Sequence, residues 1–199
     1  GKVREHYKLI GGGSPLLKWT RAQAEQLEHK LGAAQPGVRC YVGMRYFRPT
    51  ISDAVVQAYD EGFRHMVFLP MYPQYCRATT GSSFEVVRRV TKKFSDLEIT
   101  FIDDFHDHAG YIALLNTYIS DNIRPADTVL FSAHSVPQKF VDEGDPYVDQ
   151  VRRTVKLVAG DRRYHVSFQS RTGPVTWVGP DTVAESRRIL TTTPDDLFV

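Results

Sequence analysis

Short apolar runs alternate along this chain with longer stretches whose apolar side chains recur at spacings of three and four. Residues 66–69 and 128–131 are continuously apolar or β-branched, as strands covered on both faces must be. Residues 38–44, 99–102 and 165–168 read as further strands. Between them, residues 50–61 set Ile51, Ala54, Val55, Ala58 and Tyr59 on one side of a helix. Val148, Val151, Val155 and Val158 do the same behind Asp145-Pro146, which caps that helix. Residues 82–94, 111–119 and 181–190 are helical as well. A chain that returns through a helix starts each strand at the same end, so this alternation predicts an α/β fold. The expected sheet is mostly parallel, flanked by helices and joined by right-handed crossovers.

The N-terminal part reads as helix. Residues 1–9 are charged and helix-permissive, and Gly11-Gly12-Gly13 breaks them. Ser14-Pro15 restarts a helix with a cap and a proline at its first position. Ala24, Leu27 and Leu31 share its face, Trp19 reads as packing, and Gly32 ends it. A boundary near residues 104–126 divides the chain into residues 1–104 and 105–199. The chain opens on Gly1, and Asp195-Asp196-Leu197-Phe198-Val199 looks like the start of a strand. Both ends suggest an internal portion of a longer protein.

Charge excludes some classes of partner. With 25 Lys+Arg against 23 Asp+Glu the net charge is +2, which gives no strong field for nucleic-acid phosphates. No apolar run approaches the roughly 18 residues of a membrane span. Cys40 and Cys76 are too few for a disulfide framework or a thiolate metal site.

In open parallel sheets ligands sit beyond the carboxyl ends of the strands, and there this chain gathers Tyr, His, Trp, Gln, Ser and Arg. Such loops suit a flat, largely apolar ligand with polar edges. His134 follows a buried strand between small residues, where an imidazole accepts a proton or binds a metal. The same position equally suits a core histidine bonded to backbone. Asp103, Asp104, His106, Asp107 and His108 resemble a weak cation site, although helix capping and solvation explain them better. Thr79-Thr80-Gly81-Ser82-Ser83 fits either a backbone anion site or a plain helix cap, and it lacks the Gly-Lys-Ser/Thr ending of a phosphate loop. Cys76 has no evident catalytic partner and reads as a buried thiol. The paired arginines at 88–89, 152–153, 162–163 and 187–188 read as solvated surface.

Taken in order, several segments resemble the ferrochelatase family. They are Ile10-Gly11-Gly12-Gly13-Ser14-Pro15-Leu16, Met44-Arg45-Tyr46, Tyr72-Pro73-Gln74-Tyr75 and Thr79-Thr80-Gly81-Ser82-Ser83. Phe131-Ser132-Ala133-His134-Ser135-Val136-Pro137, Gly144-Asp145-Pro146-Tyr147, Gln169-Ser170-Arg171 and Gly173-Pro174 through Trp177 to Gly179-Pro180 follow. The resemblance implies two Rossmann-like, chelatase-type domains with the active-site cleft between them. It implies a lyase that inserts ferrous iron, as substrate, into protoporphyrin IX or coproporphyrin III to make haem. His134 takes the place of the family's active-site histidine, as proton acceptor, metal ligand or both. Tyr7, Ser14, Arg45, Tyr72, Tyr75, Ser83 and Trp177 are the implied porphyrin contacts.

The family's first strand, its lip segment and a later histidine–x–glutamate motif fall outside this chain. Arg77 stands where cluster-bearing members place a cysteine, so no iron–sulfur cluster is expected. Porphyrin and ferrous iron are the expected partners, with no nucleic acid and with a cytoplasmic location. The resemblance leaves room for peripheral membrane contact in the full-length protein and is silent on oligomeric state. The competing readings are a non-catalytic tetrapyrrole-binding module and a chelatase for another metal.

Overall fold

The computed structural model describes residues 2–9, 11–124, 127–192 and 197–199. Gly1, Ile10 of the glycine-rich segment and Asp195-Asp196 of the final run lie outside the described residues. The chain groups into two compact units, Gly1–Met66 with Ser83–Thr100, and Val67–Ser82 with Phe101–Val199. Residues 67–82, which sequence order assigns to the first part, therefore belong with the second unit.

The first unit opens with α1 (Lys2–Leu9) and α2 (Leu16–Ala34). Ser14 Oγ accepts the Leu16 N–H at 3.3 Å. Gly32 does not end α2, which continues to Ala34, where the Gln35 N–H closes on the Leu31 carbonyl at 2.7 Å. Trp19 does not pack as expected. No residue of α2 is buried, and the indole is 58% exposed with the Lys18 ammonium 5.1 Å from its centre.

Residues 38–44 form no ladder strand among the described residues. Side chains take their polar groups instead, with the Cys40 N–H on Glu28 Oε2 at 2.6 Å and the Tyr41 hydroxyl on the Glu61 carboxylate. Met44 bridges to Thr50 just before α3 (Ile51–Asp60). A capping box starts this helix: Thr50 Oγ1 accepts the Asp53 N–H at 3.1 Å, and Asp53 Oδ2 accepts the Thr50 N–H at 2.9 Å.

Strands β1 (His65–Phe68) and β2 (Glu98–Phe101) form a two-stranded sheet. The Glu98 N–H donates to the Arg64 carbonyl and the Ile102 N–H to the Phe68 carbonyl. Both partners advance together, so the strands run parallel. β1 is not covered on both faces, since its exposure alternates and Val67 is 65% exposed. A π-helical turn, Arg77–Gly81, leads into α4 (Ser82–Thr91).

In the second unit β3 (Thr128–His134) is central, between β4 (Tyr164–Gln169) and β5 (Leu197–Phe198), and parallel to both. The β4 pairing runs from Val129 against Tyr164 to His134 against Gln169, whereas among the described residues β5 meets Thr128 and Val129. α5 (Ala109–Asn122), α6 (Gln138–Asp142), α7 (Tyr147–Ala159) and α8 (Thr182–Thr192) complete the unit. The expected valine stripe of α7 is its buried face. Val148, Val151 and Val155 join Cys76, Val136, Phe168 and Val178 in one cluster, and Val158 joins Ile119 and Val129 in another. Burying each valine contributes roughly 1.5 kcal/mol or more, so α7 is fixed firmly against the sheet. Parallel sheets flanked by helices give the α/β class the sequence predicts. No helix among the described residues is long and apolar enough to cross a membrane.

Candidate functional site

β3 carries its chain out of the core as it advances. Thr128, Val129 and Leu130 are buried, Phe131 to Ala133 are partly covered, and His134 is exposed. The strand thus runs three residues past the predicted end and presents His134 as its last member. His134 Nδ1 lies 2.7 Å from the Ser135 carbonyl oxygen. A carbonyl only accepts, so Nδ1 carries the hydrogen and the lone pair of the neutral ring sits on Nε2. An exposed Nε2 lone pair is a proton acceptor or a metal ligand. The core-histidine alternative is thereby set aside, although its hydrogen bond to backbone is present.

The backbone around His134 is held at each step. The Ser135 N–H donates to the Gln169 carbonyl at 2.8 Å, and the buried Ser135 hydroxyl donates to the Val178 carbonyl at 2.8 Å. Tyr147 Oη donates to the His134 carbonyl at 3.0 Å. Segment 176–178 runs antiparallel to 136–138, with the Val178 N–H on the Val136 carbonyl and the Gln138 N–H on the Thr176 carbonyl. Trp177 is therefore opposite Pro137, three residues beyond His134, and its indole N–H donates to the Thr172 carbonyl at 3.0 Å. The ring is oriented by this bond, and only half covered.

The Tyr72–Tyr75 segment is attached to α7. The Tyr75 N–H donates to Gln150 Oε1 at 2.6 Å, and Gln74 Nε2 donates to Thr154 Oγ1 at 3.1 Å. Tyr72 is 47% exposed, whereas Tyr75 is half-buried with its hydroxyl against Gly81, where an added Cβ would lie 2.8 Å from Oη. Next along, Arg77 serves the fold. Its N–H donates to Asp145 Oδ2 at 2.8 Å, its guanidinium reaches Glu143 at 2.6 Å, and it lies 3.8 Å above the Phe140 ring. Cys76 is buried, and burial pushes its thiol up.

The suggested cation cluster proves to be part of this attachment. Asp104 accepts from Gln150 Nε2 at 3.0 Å through one oxygen and meets His106 Nδ1 at 2.5 Å with the other. The His106 carbonyl accepts from Thr154 at 2.7 Å, and His108 Nδ1 caps α5 by accepting the Gly110 N–H at 3.2 Å. Among the described residues no three His, Cys, Asp or Glu side chains are grouped to hold a metal ion. The anion reading of 79–83 fails for a similar reason, because Thr79 and Gly81 N–H groups donate to the Cys76 carbonyl. Thr80 Oγ1, fully buried, has no hydrogen-bond partner.

Four candidates belong to the other unit. Tyr7, 38% exposed, is in α1, and Ser14 is the exposed residue that supports the start of α2. Ser83, at 5% exposure in the first turn of α4, presents little surface to a ligand. The Arg45 guanidinium lies 4.7 Å from the Tyr46 ring and lines a cavity of about 740 Å³ with Met44, Thr50, Arg89, Lys92 and Lys93. Its lining includes four cations and no carboxylate, which favours an anionic ligand. Tyr147 and Gln150 are not evident from the sequence as members of this arrangement. Tyr147 falls within the Gly144-Asp145-Pro146-Tyr147 motif, and Gln150 carries no sequence signal.

The ferrochelatase family model matches residues 1–193. The chain is 44% identical over 190 residues to a ferrochelatase of Geotalea uraniireducens, covering 91% of this chain and 59% of that one. It is 41% identical to a ferrochelatase of Geotalea daltonii, with 96% and 61% covered, and 37% identical to one of Aquifex aeolicus, with 95% and 62% covered. The chain thus spans about three fifths of the length of these curated relatives. Among solved structures, Bacillus subtilis SirB with Fe3+ aligns at a TM-score of 0.58 and 17% identity, over 82% of this chain and 64% of that one. The sirohydrochlorin chelatase SirB in complex with cobalt, from Bacillus subtilis subspecies spizizenii, aligns at 0.56 and 14%, over 93% and 82%. At that identity these two structures bear on the fold alone. With the family match running nearly end to end, the chain belongs to the ferrochelatase family.

Proposed function

We propose that the protein containing this chain inserts ferrous iron into a porphyrin, protoporphyrin IX or coproporphyrin III. Two pyrrole N–H bonds break, four Fe–N bonds form to the two deprotonated nitrogens and the two that already carry lone pairs, and two protons leave with no change in oxidation state. The observation that carries this reading is His134. It ends the central strand, it is exposed, and Nδ1–H is committed to the Ser135 carbonyl, which leaves Nε2 to meet a pyrrole proton or the arriving iron. Tyr72, Tyr75 and Trp177 supply aromatic surface for a flat macrocycle, whose bending exposes the nitrogen lone pairs to the metal. Arg45 and the neighbouring cations suit the carboxylates at the porphyrin rim, and Tyr7 and Ser14 are further proposed contacts, whereas Ser83 is too covered to offer one. Cys76 is buried and Arg77 is occupied with Asp145 and Glu143, which supports the absence of an iron–sulfur cluster on this stretch.

The test is loss of porphyrin fluorescence on adding Fe²⁺ anaerobically to the full-length protein. Removing a positioned base slows proton transfer about 10²- to 10⁴-fold, so His134→Ala is expected to lower kcat by that range. Equal turnover by wild type and His134→Ala would refute the role given to His134.

A further inference from the structure

The hydrogen bond that sets the imidazole depends on a backbone that something must hold. His134 is the last residue of β3, and its Nδ1–H reaches forward to the carbonyl of the next residue. The peptide unit between the two is clamped from both sides. Its N–H, on Ser135, donates to the Gln169 carbonyl, and its carbonyl, on His134, accepts from Tyr147 Oη. The first bond belongs to the β3–β4 ladder. The second comes from a side chain thirteen residues away, on the first residue of α7.

Tyr147 is built for this contact. Its ring packs against the buried cluster that includes Val136, Val148 and Phe168, so the ring has little freedom to move. Burial, foremost, and the nearby Cys76 push the phenol up to about 12, which keeps it a donor near neutral pH. The Tyr147 N–H donates to Asp145 Oδ1 at 3.0 Å, while Asp145 Oδ2 accepts the Arg77 N–H at 2.8 Å. The buried Asp145 carboxylate therefore joins the segment bearing Tyr72 and Tyr75 to the residue that clamps His134. We propose that Tyr147 is a positioning residue for His134, and that Asp145 couples its position to the aromatic segment 72–77. This rests on the function proposed above and deepens it.

The roles separate in kinetics. Tyr147→Phe keeps the ring in the core and removes only the donor. A displacement of about 1 Å at a reacting group costs up to 10²-fold, so kcat of the full-length enzyme is expected to fall at least about tenfold. The porphyrin KM is expected to stay within about twofold, because no porphyrin contact is altered. Asp145→Asn leaves one acceptor oxygen and loosens the 72–77 attachment, so it is expected to raise KM as well as lower kcat.

A merely structural Tyr147 is distinguished by a double-mutant cycle. If Tyr147 acts through His134, adding Tyr147→Phe to His134→Ala changes the residual rate less than about twofold; a full additional loss overturns the proposal. Nitrogen-15 NMR of the His134 ring gives an independent readout. Wild type is expected to show one tautomer, with hydrogen on Nδ1, and Tyr147→Phe a mixture. An unchanged single tautomer with wild-type kcat overturns the clamp. A His134→Ala enzyme as active as wild type would instead overturn the functional reading.

Discussion

Gly81 closes the π-helical turn with the Tyr75 hydroxyl against its Cα. A Cβ there would lie 2.8 Å from Tyr75 Oη and 3.5 Å from Arg77 Cβ. Overpacking of this kind costs about 1–3 kcal/mol, so Gly81→Ala is expected to lower Tm by several degrees in a thermal melt. Adding Tyr75→Phe removes the clashing oxygen and should recover part of that loss; no recovery would place the strain elsewhere. At this scale the sequence showed some candidate groups and hid others. His134 was legible as a candidate because strand ends in a parallel sheet are where ligands bind. Tyr147 and Gln150 were not, since a hydrogen bond between residues 13 or 75 positions apart leaves no periodic trace. The Asp104–His106 pair was visible as a cluster, but only geometry showed that it is bonded to Gln150 and Thr154.

Among the elements, α8 is joined to β4 through a polar contact. Glu185 is 9% exposed, with Oε1 2.7 Å and Oε2 3.0 Å from the Arg188 guanidinium and His165 Nδ1 3.3 Å from Oε1. The hydrogen-bonded Arg188, helped by His165, holds the Glu185 carboxyl below its ordinary value of 4.5. A carboxylate lowered in the folded state stabilises fully above the unfolded value and loses that contribution as pH falls through the folded one. The Tm difference between wild type and Glu185→Gln is therefore expected to shrink as pH falls below 4.5. A difference that holds constant into stronger acid would refute the linkage. Long amphipathic helices such as α7 were readable because their stripe repeats over several turns. α6 was not, because five residues are too few to show a period. Residues 38–44 looked like strand, yet strand pattern without a paired edge makes no ladder.

Across the whole molecule, burial is uneven. Leu130, Phe168 and Val158 are at most 1% exposed, while α2 buries none of its nineteen residues. Local opening costs least where few apolar contacts are broken. In hydrogen exchange of this chain, amides of β3 and β4 are expected to be the slowest and those of α2 among the fastest; the reverse order would contradict the burial pattern. The class of fold was legible from alternation alone. The grouping of residues 67–82 with the second unit was not, because it depends on side chains of Gln150, Thr154 and Asp145 that meet this segment from far along the chain. The bond from His134 Nδ1–H to the Ser135 carbonyl has one more effect under the proposed chemistry. An imidazole with one nitrogen already bearing hydrogen has a single vacancy, whereas each macrocycle surrenders two hydrogens. His134 must therefore hand the first to water before collecting the second, or leave that second transfer to another acceptor, and its place at the open tip of β3 allows such a discharge within one catalytic cycle.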